Sequence, residues 1–326
     1  MDPVERYLEV FDELRRSKRW STDVNILRFC ALTLSAAKVA GSGQRLEVAA
    51  KALADEAGGF SPLGSSLRHA VAAILIRRDF DPVITVRRVK ETLEMFKDHK
   101  LKKGGAQPML AALLLVLDAD SGLPADSTIA RLKEIVVRWK KDHFFLTGVD
   151  DYPMAAMHAT RDIGIEELAL EVEQVYTTLR AAKFSSGNPL QLVSHMLAFS
   201  DFGPFEASQR FEGMARALKE GGQRIWQSQY DEVALLVLSG GAIEDAAARV
   251  ISYRDRLRAV KPRPQSEIAF SIAAGVVLAE QAEAQLGLEG TGAAANLRSV
   301  QAILEAQQAA IVACMAATTA VTAAST

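Results

Sequence analysis

The feature that most limits how this chain can fold is a regular alternation between two kinds of apolar segment. One kind is almost free of charge, as in AVAAILI at 70–76. The other carries charged residues between apolar positions at helical spacing, as at Leu132, Ile135 and Trp139. A helix that is apolar all round must be buried, whereas a helix with one apolar stripe covers it from outside. The alternation therefore predicts pairs of helices, one inner and one outer.

Turns that contain glycine or proline follow these pairs and recur roughly every 40 residues, a spacing typical of helical solenoids. The turns lie at 102–105, 146–148, 185–188, 221–222 and 262–264. The inner helices are predicted to begin near Leu67, Pro108, Pro153, Pro189, Glu232 and Glu267. Residues 83–86 form the only β-branched run, and we interpret them as the start of a helix after Pro82.

These patterns predict an all-α fold of helical-hairpin repeats, arranged as an α-solenoid or α/α superhelix. A toroid that closes the hairpins into a ring is the alternative. We favour the open or partly closed form because both chain ends resemble capping segments. The expected organisation is one repeat domain over 1–326, with a capping helix at 1–20, hairpins at 21–284 and an alanine-rich helix with a frayed end at 293–326.

Composition excludes several classes of function. The formal net charge is −2, with 38 basic and 40 acidic residues, so no global field attracts nucleic acid or an anionic membrane. Cys30 and Cys314 lie too far apart in sequence to form a disulfide framework. The first seven residues are charged where a signal peptide needs an apolar run. The C-terminal segment lacks charge after Glu305, but Gln307 and Gln308 interrupt its apolar run, so it is too weakly hydrophobic to insert into a membrane. We therefore expect a cytoplasmic protein without a membrane span.

The clearest joint between two helices lies near the middle of the chain, at 141–159. The preceding helix is predicted to end before a turn at Thr147 and Gly148. Asp150 or Asp151 is predicted to be the N-cap of the next helix, with Pro153 in its first turn. Aspartate at this position accepts hydrogen bonds from the exposed amides, so capping is the structural interpretation of both carboxylates.

A functional interpretation of the same residues remains open. If Asp151 is aligned with Asn188, His158 falls over His195, so two imidazoles occupy the same face of consecutive inner helices. The candidate ligands for a divalent metal are therefore Asp150, Asp151, His158 and His195. The chain has no H-E-x-x-H motif and no paired CxxC, and the sequence requires no cofactor.

Two blocks of the chain resemble a known family. The run HFFLTGVDDYPMA at 143–155 resembles the signature H-x-F-L-T-G-x-D-D-Y-P-x-A of an uncharacterised bacterial family, domain-of-unknown-function family 4003. The run GNPLQLVSHMLA at 187–198 resembles that family's G-N-x-L-Q-x-x-S-H-x-L segment, with a departure at Pro189, where a polar or acidic residue is usual. The resemblance implies no activity or cofactor, but it marks positions to test: His143, Thr147, Gly148, Asp150, Asp151, Tyr152, Asn188, Gln191, Ser194 and His195.

Two functions are compatible with the sequence. The first is a binding or scaffold protein that recognises a protein, peptide or small ligand in a concave groove of the repeats. The second is an enzyme, with or without a divalent metal, that uses the central aspartates and histidines in a cavity. We favour the first because the chain lacks any strong catalytic motif.

Overall fold

A computed structural model describes residues 1–17, 23–37, 41–58, 61–64, 67–120 and 122–286. All regular structure within these ranges is helical, which confirms the all-α prediction. The α-helices are α1 Pro3–Ser17, α2 Val24–Ala36, α3 Ser42–Ala57, α4 Leu67–Arg78, α5 Pro82–Asp98, α6 Ala106–Asp118, α7 Asp126–Asp142, α8 Tyr152–Ala159, α9 Ile165–Ala181, α10 Asn188–Leu197, α11 Pro204–Glu220, α12 Tyr230–Leu238, α13 Ile243–Ala259 and α14 Ser266–Leu286. The predicted helix at 293–326, with Cys314, lies outside the described residues.

The six predicted inner helices all begin within two residues of their expected positions. Local signals explain this accuracy. The outer helix α5 also begins where it was predicted, because Pro82 fixes the backbone of its first turn and the Asp81 carboxylate accepts a hydrogen bond from the Ile84 amide at 2.8 Å. The β-branched run after Pro82 is therefore helical, as predicted.

Burial along the helices follows the two predicted kinds of segment. In α6, every residue from Pro108 to Leu117 is buried, so this helix has no solvent face. In α11, burial is confined to one stripe that includes Phe211, Met214 and Leu218. A helix of the first kind needs neighbours on all sides, and a helix of the second kind provides one.

The described residues divide into two compact units. The first unit comprises residues 1–134 and 149–161. Within it, α1 packs on α3 and α3 on α5, while α2 packs on α4 and α6 on α8. The outer helix α5 also packs on the inner helix α6, so the unit is a helical assembly two layers deep.

The second unit comprises residues 135–148 and continues from residue 162. Its outer helices α9, α11 and α13 pack side by side, and its inner helix α12 packs on both α10 and α14. Each of the three outer helices has 17 residues, and their first residues, Ile165, Pro204 and Ile243, are spaced 39 residues apart. The expectation of one continuous repeat domain over 1–326 stays a prediction. No helix in the described ranges combines the length and hydrophobicity needed to cross a bilayer.

Candidate functional site at the end of α7

The second unit contains a tight turn, residues 143–148, that directly follows α7. The His143 amide continues the helix by donating to the Trp139 carbonyl at 3.0 Å. The amides of Leu146 and Thr147 then both donate to the His143 carbonyl, at 3.1 and 2.9 Å. One carbonyl therefore closes the turn, which fixes the backbone of the residues in between.

Side chains from two other helices hold this 143–148 turn at both ends. At its start, His143 Nε2 lies 2.8 Å from Glu173 Oε2 on α9, and the imidazole packs against the Tyr176 ring at 4.7 Å. At its end, Gln191 Nε2 on α10 donates to Thr147 Oγ1 at 3.0 Å. Thr147 and Gln191 are both buried, so this hydrogen bond is protected from competition by water.

His195, a predicted site residue on α10, packs against α7. Its imidazole stacks on the Trp139 indole, with ring centroids 3.7 Å apart and planes inclined by 26°. Burial, with a smaller electrostatic contribution from His143, lowers the pKa of His195 to about 3. The ring is therefore neutral near pH 7 and acts as an aromatic packing group.

The neighbouring predicted residues of α10 are also tied into the helix. Ser194 is fully buried, and its hydroxyl donates to the Leu190 carbonyl of the same helix at 2.8 Å. Its oxygen is thus oriented by its own backbone, which is not the geometry of an activated nucleophile. Asn188 lies at the exposed first position of α10.

The anchored turn presents two aromatic side chains to solvent. Phe144 is 63% exposed and Phe145 is 95% exposed. Their rings meet edge to face, with centroids 5.3 Å apart and planes at 90°, and Lys140 Nζ lies 5.0 Å from the centroid of the Phe144 ring. We call Phe144 and Phe145 the aromatic tip. An almost fully exposed phenyl ring on a fixed backbone is suited to contact with another molecule.

Tyr152, from the same predicted block, lies in the first unit and joins two elements there. Its hydroxyl accepts a hydrogen bond from the Lys102 amide at 3.3 Å, and its ring meets Phe96 edge to face at 6.5 Å. In the second unit, the Tyr230 hydroxyl accepts from the Ser185 amide at 3.4 Å in the same way. Both tyrosines occupy the first position of an inner helix, so this role is structural.

Asp151 does not make the predicted capping hydrogen bond. Asp151 occupies the N-cap position of α8, but its side chain accepts no hydrogen bond from the first amides of that helix. The physical reason is the backbone: a 3-10 turn, Val149–Asp151, leads directly into α8, and Asp151 has helical φ and ψ of −87° and −7° rather than an extended conformation. Asp150 is exposed.

His158 is fully buried in the first unit, and Arg161 Nη1 donates to its Nδ1 at 3.0 Å. Since a guanidinium can only donate, Nδ1 is the acceptor and the ring proton is on Nε2. Within the described part of the chain, no three His, Cys, Asp or Glu side chains are grouped as metal ligands. The metal site of Asp150, Asp151, His158 and His195 stays a prediction.

Several residues that shape this site were not predicted. Glu173 and Tyr176 are three positions apart on α9, a spacing that places them on one helix face, but it does not identify His143 as their partner. Trp139 was assigned to an apolar stripe, and its stacking on His195 depends on the register of two helices. The sequence does place Phe144 and Phe145 beside a predicted turn, and since turns run over the protein surface, their exposure could have been inferred from that position.

Comparison with known proteins identifies a family and a relative that this chain resembles. A family model described as "Protein of unknown function (DUF4003)" matches residues 10–309. The uncharacterized protein YeaA of Bacillus subtilis (strain 168) is 25% identical over 328 residues, which cover 98% of this chain and 95% of the relative. No solved structure matches. The matched range includes both the 143–148 turn and α10.

Proposed function

The chain belongs to the DUF4003 family of proteins of unknown function, and we propose that it is a binding or scaffold protein built from helical-hairpin repeats. The observation that carries this proposal is the aromatic tip, in which Phe145 is 95% exposed on a turn held by the buried hydrogen bond between Thr147 and Gln191. The tip is then the recognition element, in addition to any ligand bound in a groove of the repeats.

The anchors of the turn support a binding role. His143 is held by Glu173 and Tyr176, and Thr147 is held by Gln191. A contact surface that is already ordered loses less conformational entropy on association than a flexible one. Aromatic side chains are enriched in the centres of protein interfaces, where they account for much of the binding energy.

The regular spacing of the outer helices supports the repeat part of the proposal. Three successive outer helices have equal length and equal spacing, and Tyr152 and Tyr230 make equivalent hydrogen bonds. Repeats of this size use extended surfaces for recognition in many unrelated proteins. We therefore assign the helices a scaffolding role and the tip a contact role.

The test compares three baits: the wild type, the Phe144→Ser/Phe145→Ser double variant and a Phe205→Ser control. Phe205 is 65% exposed on α11, so the control removes a phenyl ring elsewhere whose exposure is close to that of Phe144. A partner captured from cell extract is then purified and titrated by calorimetry. We expect the double variant to bind at least about tenfold more weakly, or about 1.4 kcal/mol, and the control to bind normally. Equal binding by all three baits would contradict the proposal.

An enzyme is the second candidate, favoured by the pair of His143 and Glu173. The His143 side chain is 17% exposed, and a carboxylate that orients an imidazole is the arrangement found in general-base catalysis. The metal-dependent form of this hypothesis is tested by elemental analysis of purified protein. Stoichiometric metal in the wild type, lost in Asp150→Asn/Asp151→Asn, would favour the enzyme over the binding protein.

A further inference from the structure

The first unit carries an open groove of about 450 Å³ between α3 and the joint that links α4 to α5. We call it the α3 groove. Val48 of α3 lies on one wall and is 64% exposed. Ile76, Phe80 and Val83 form the other wall, where α4 is joined to α5. Apolar walls that remain accessible to water are a site where an apolar side chain gains free energy by docking.

The charged residues that line the α3 groove give it a net negative charge. Asp79 and Asp81 contribute two carboxylates, while Arg45 contributes one guanidinium. All three residues are exposed. The groove therefore suits an apolar group that carries positive charge beside it, and Arg45 can also pack on the face of an aromatic ring.

The chain itself provides a group of this description. The aromatic tip places two exposed phenyl rings next to two lysines, Lys140 and Lys141, at the end of α7. The rings match the apolar walls of the α3 groove, and the lysines match its two carboxylates.

We propose that the α3 groove of one molecule binds the aromatic tip of a second copy of this chain. The inference rests on the proposed function, because it names the partner that the tip recognises. The interface joins two different surfaces of the same protein, so each molecule has a tip to donate and a groove to fill. Contacts of this kind continue from molecule to molecule, forming either a closed ring or an open filament.

The size of the contact predicts weak and reversible association. A buried aromatic side chain covers roughly 150–250 Å², so two of them bury about 300–500 Å², well below the roughly 1,200–2,000 Å² of stable specific interfaces. The flanking charges are exposed, and exposed charges are screened by salt. We therefore expect self-association that rises with protein concentration and decreases as salt is added.

Analytical ultracentrifugation of complementary variants tests the proposal. Phe144→Ser/Phe145→Ser removes the tip and leaves the groove intact, whereas Val48→Arg fills the groove with a cation and leaves the tip intact. Both sites are exposed, so both proteins should keep the wild-type circular dichroism spectrum. We expect each variant alone to stay monomeric. An equimolar mixture should form a 1:1 dimer that does not grow further, because only one tip and one groove remain.

Matched control variants distinguish specific binding of the tip from nonspecific hydrophobic or electrostatic association. Phe205→Ser removes an exposed phenyl ring outside the tip, and Ile84→Arg adds a cation to an exposed apolar position of α5 outside the α3 groove. Both controls should associate like the wild type. A wild type that stays monomeric up to about 100 µM, a concentration that would reveal even weak binding, overturns the inference. So does a variant mixture that fails to dimerise.

The two proposals can fail separately. If self-association is absent but a captured partner still requires Phe144 and Phe145, the tip binds a different protein and only the present inference is lost. If neither self-association nor capture depends on the tip, the proposed function is lost as well.

Discussion

At the scale of single residues, His195 should make the protein sensitive to acid. Its pKa is lowered to about 3 by burial, whereas an unfolded histidine titrates near 6.5. As pH falls below about 6.5, the unfolded chain gains a proton that the folded chain does not, so stability falls by up to about 1.4 kcal/mol per pH unit. We expect His195→Phe, which keeps a ring against Trp139, to reduce this slope between about pH 6 and pH 4. Urea unfolding at a series of pH values measures the slope, and an unchanged slope would contradict the assignment.

Glu232 should make the protein less stable as pH rises, which is the opposite of the effect of His195. It is buried at the start of α12, where the Ser271 hydroxyl donates to its Oε1. Burial raises its pKa well above the ordinary value, and the charge of Asp231 raises it further. Above about pH 4.3, where an unfolded glutamate ionises, the folded chain keeps a proton that the unfolded chain has lost, so stability falls as pH rises.

The Glu232→Gln variant keeps a neutral hydrogen-bonding side chain but removes this titration. We expect the variant to become progressively more stable than the wild type as pH rises from about 5 to 8. Thermal unfolding of both proteins in parallel buffers measures the difference. A constant difference over this range would mean that Glu232 is ionised in the folded protein.

At the scale of the elements, the bond between Thr147 and Gln191 should hold the 143–148 turn on α10. Thr147→Val leaves the buried Gln191 amide without its acceptor, which costs about 1–3 kcal/mol. Removing both polar groups in Thr147→Val/Gln191→Leu should cost less than the sum of the single changes. A double-mutant cycle from urea unfolding gives the coupling energy. A cycle that sums to zero would mean that the turn is held by other contacts.

The two inner-helix tyrosines offer a matched pair for a second prediction. Tyr152→Phe and Tyr230→Phe each remove one hydrogen bond to a backbone amide and keep the aromatic packing. Each should cost about 0.5–1.5 kcal/mol. The amides of Lys102 and Ser185 should exchange with solvent faster in the corresponding variant, as measured by hydrogen exchange. If only one amide responds, the two joints are not equivalent.

The elements also show which parts of this structure a sequence can reveal. Helix starts such as Pro82 after Asp81 depend on neighbouring residues, so they were predicted closely. The contacts of His143 with Glu173 and of His195 with Trp139 join residues 30 and 56 positions apart, and they depend on how helices align. Asp151 illustrates the limit of local rules, because a preceding 3-10 turn changed its backbone and removed the expected capping bond.

At the scale of the whole molecule, the way the chain passes between the two units limits which of its fragments can fold. The first unit includes residues 149–161, which follow a segment that belongs to the second unit. Within the first unit, α8 packs on α6, and all eight residues of α8, Tyr152–Ala159, are buried. Cutting the chain before α8 therefore leaves α6, which has no solvent face, without one of its neighbours.

Two fragments that differ only by residues 149–161 test whether the first unit needs α8 to fold. Residues 1–161 contain α8, and residues 1–148 do not. Burying a large apolar side chain contributes roughly 1.5–3 kcal/mol, so losing Tyr152, Met154 and Met157 together removes a contribution comparable to the whole stability of a domain, about 5–15 kcal/mol. We expect residues 1–161 to unfold cooperatively and residues 1–148 to lose a cooperative transition in circular dichroism. Cooperative unfolding of both fragments would mean that α6 is stabilised without α8.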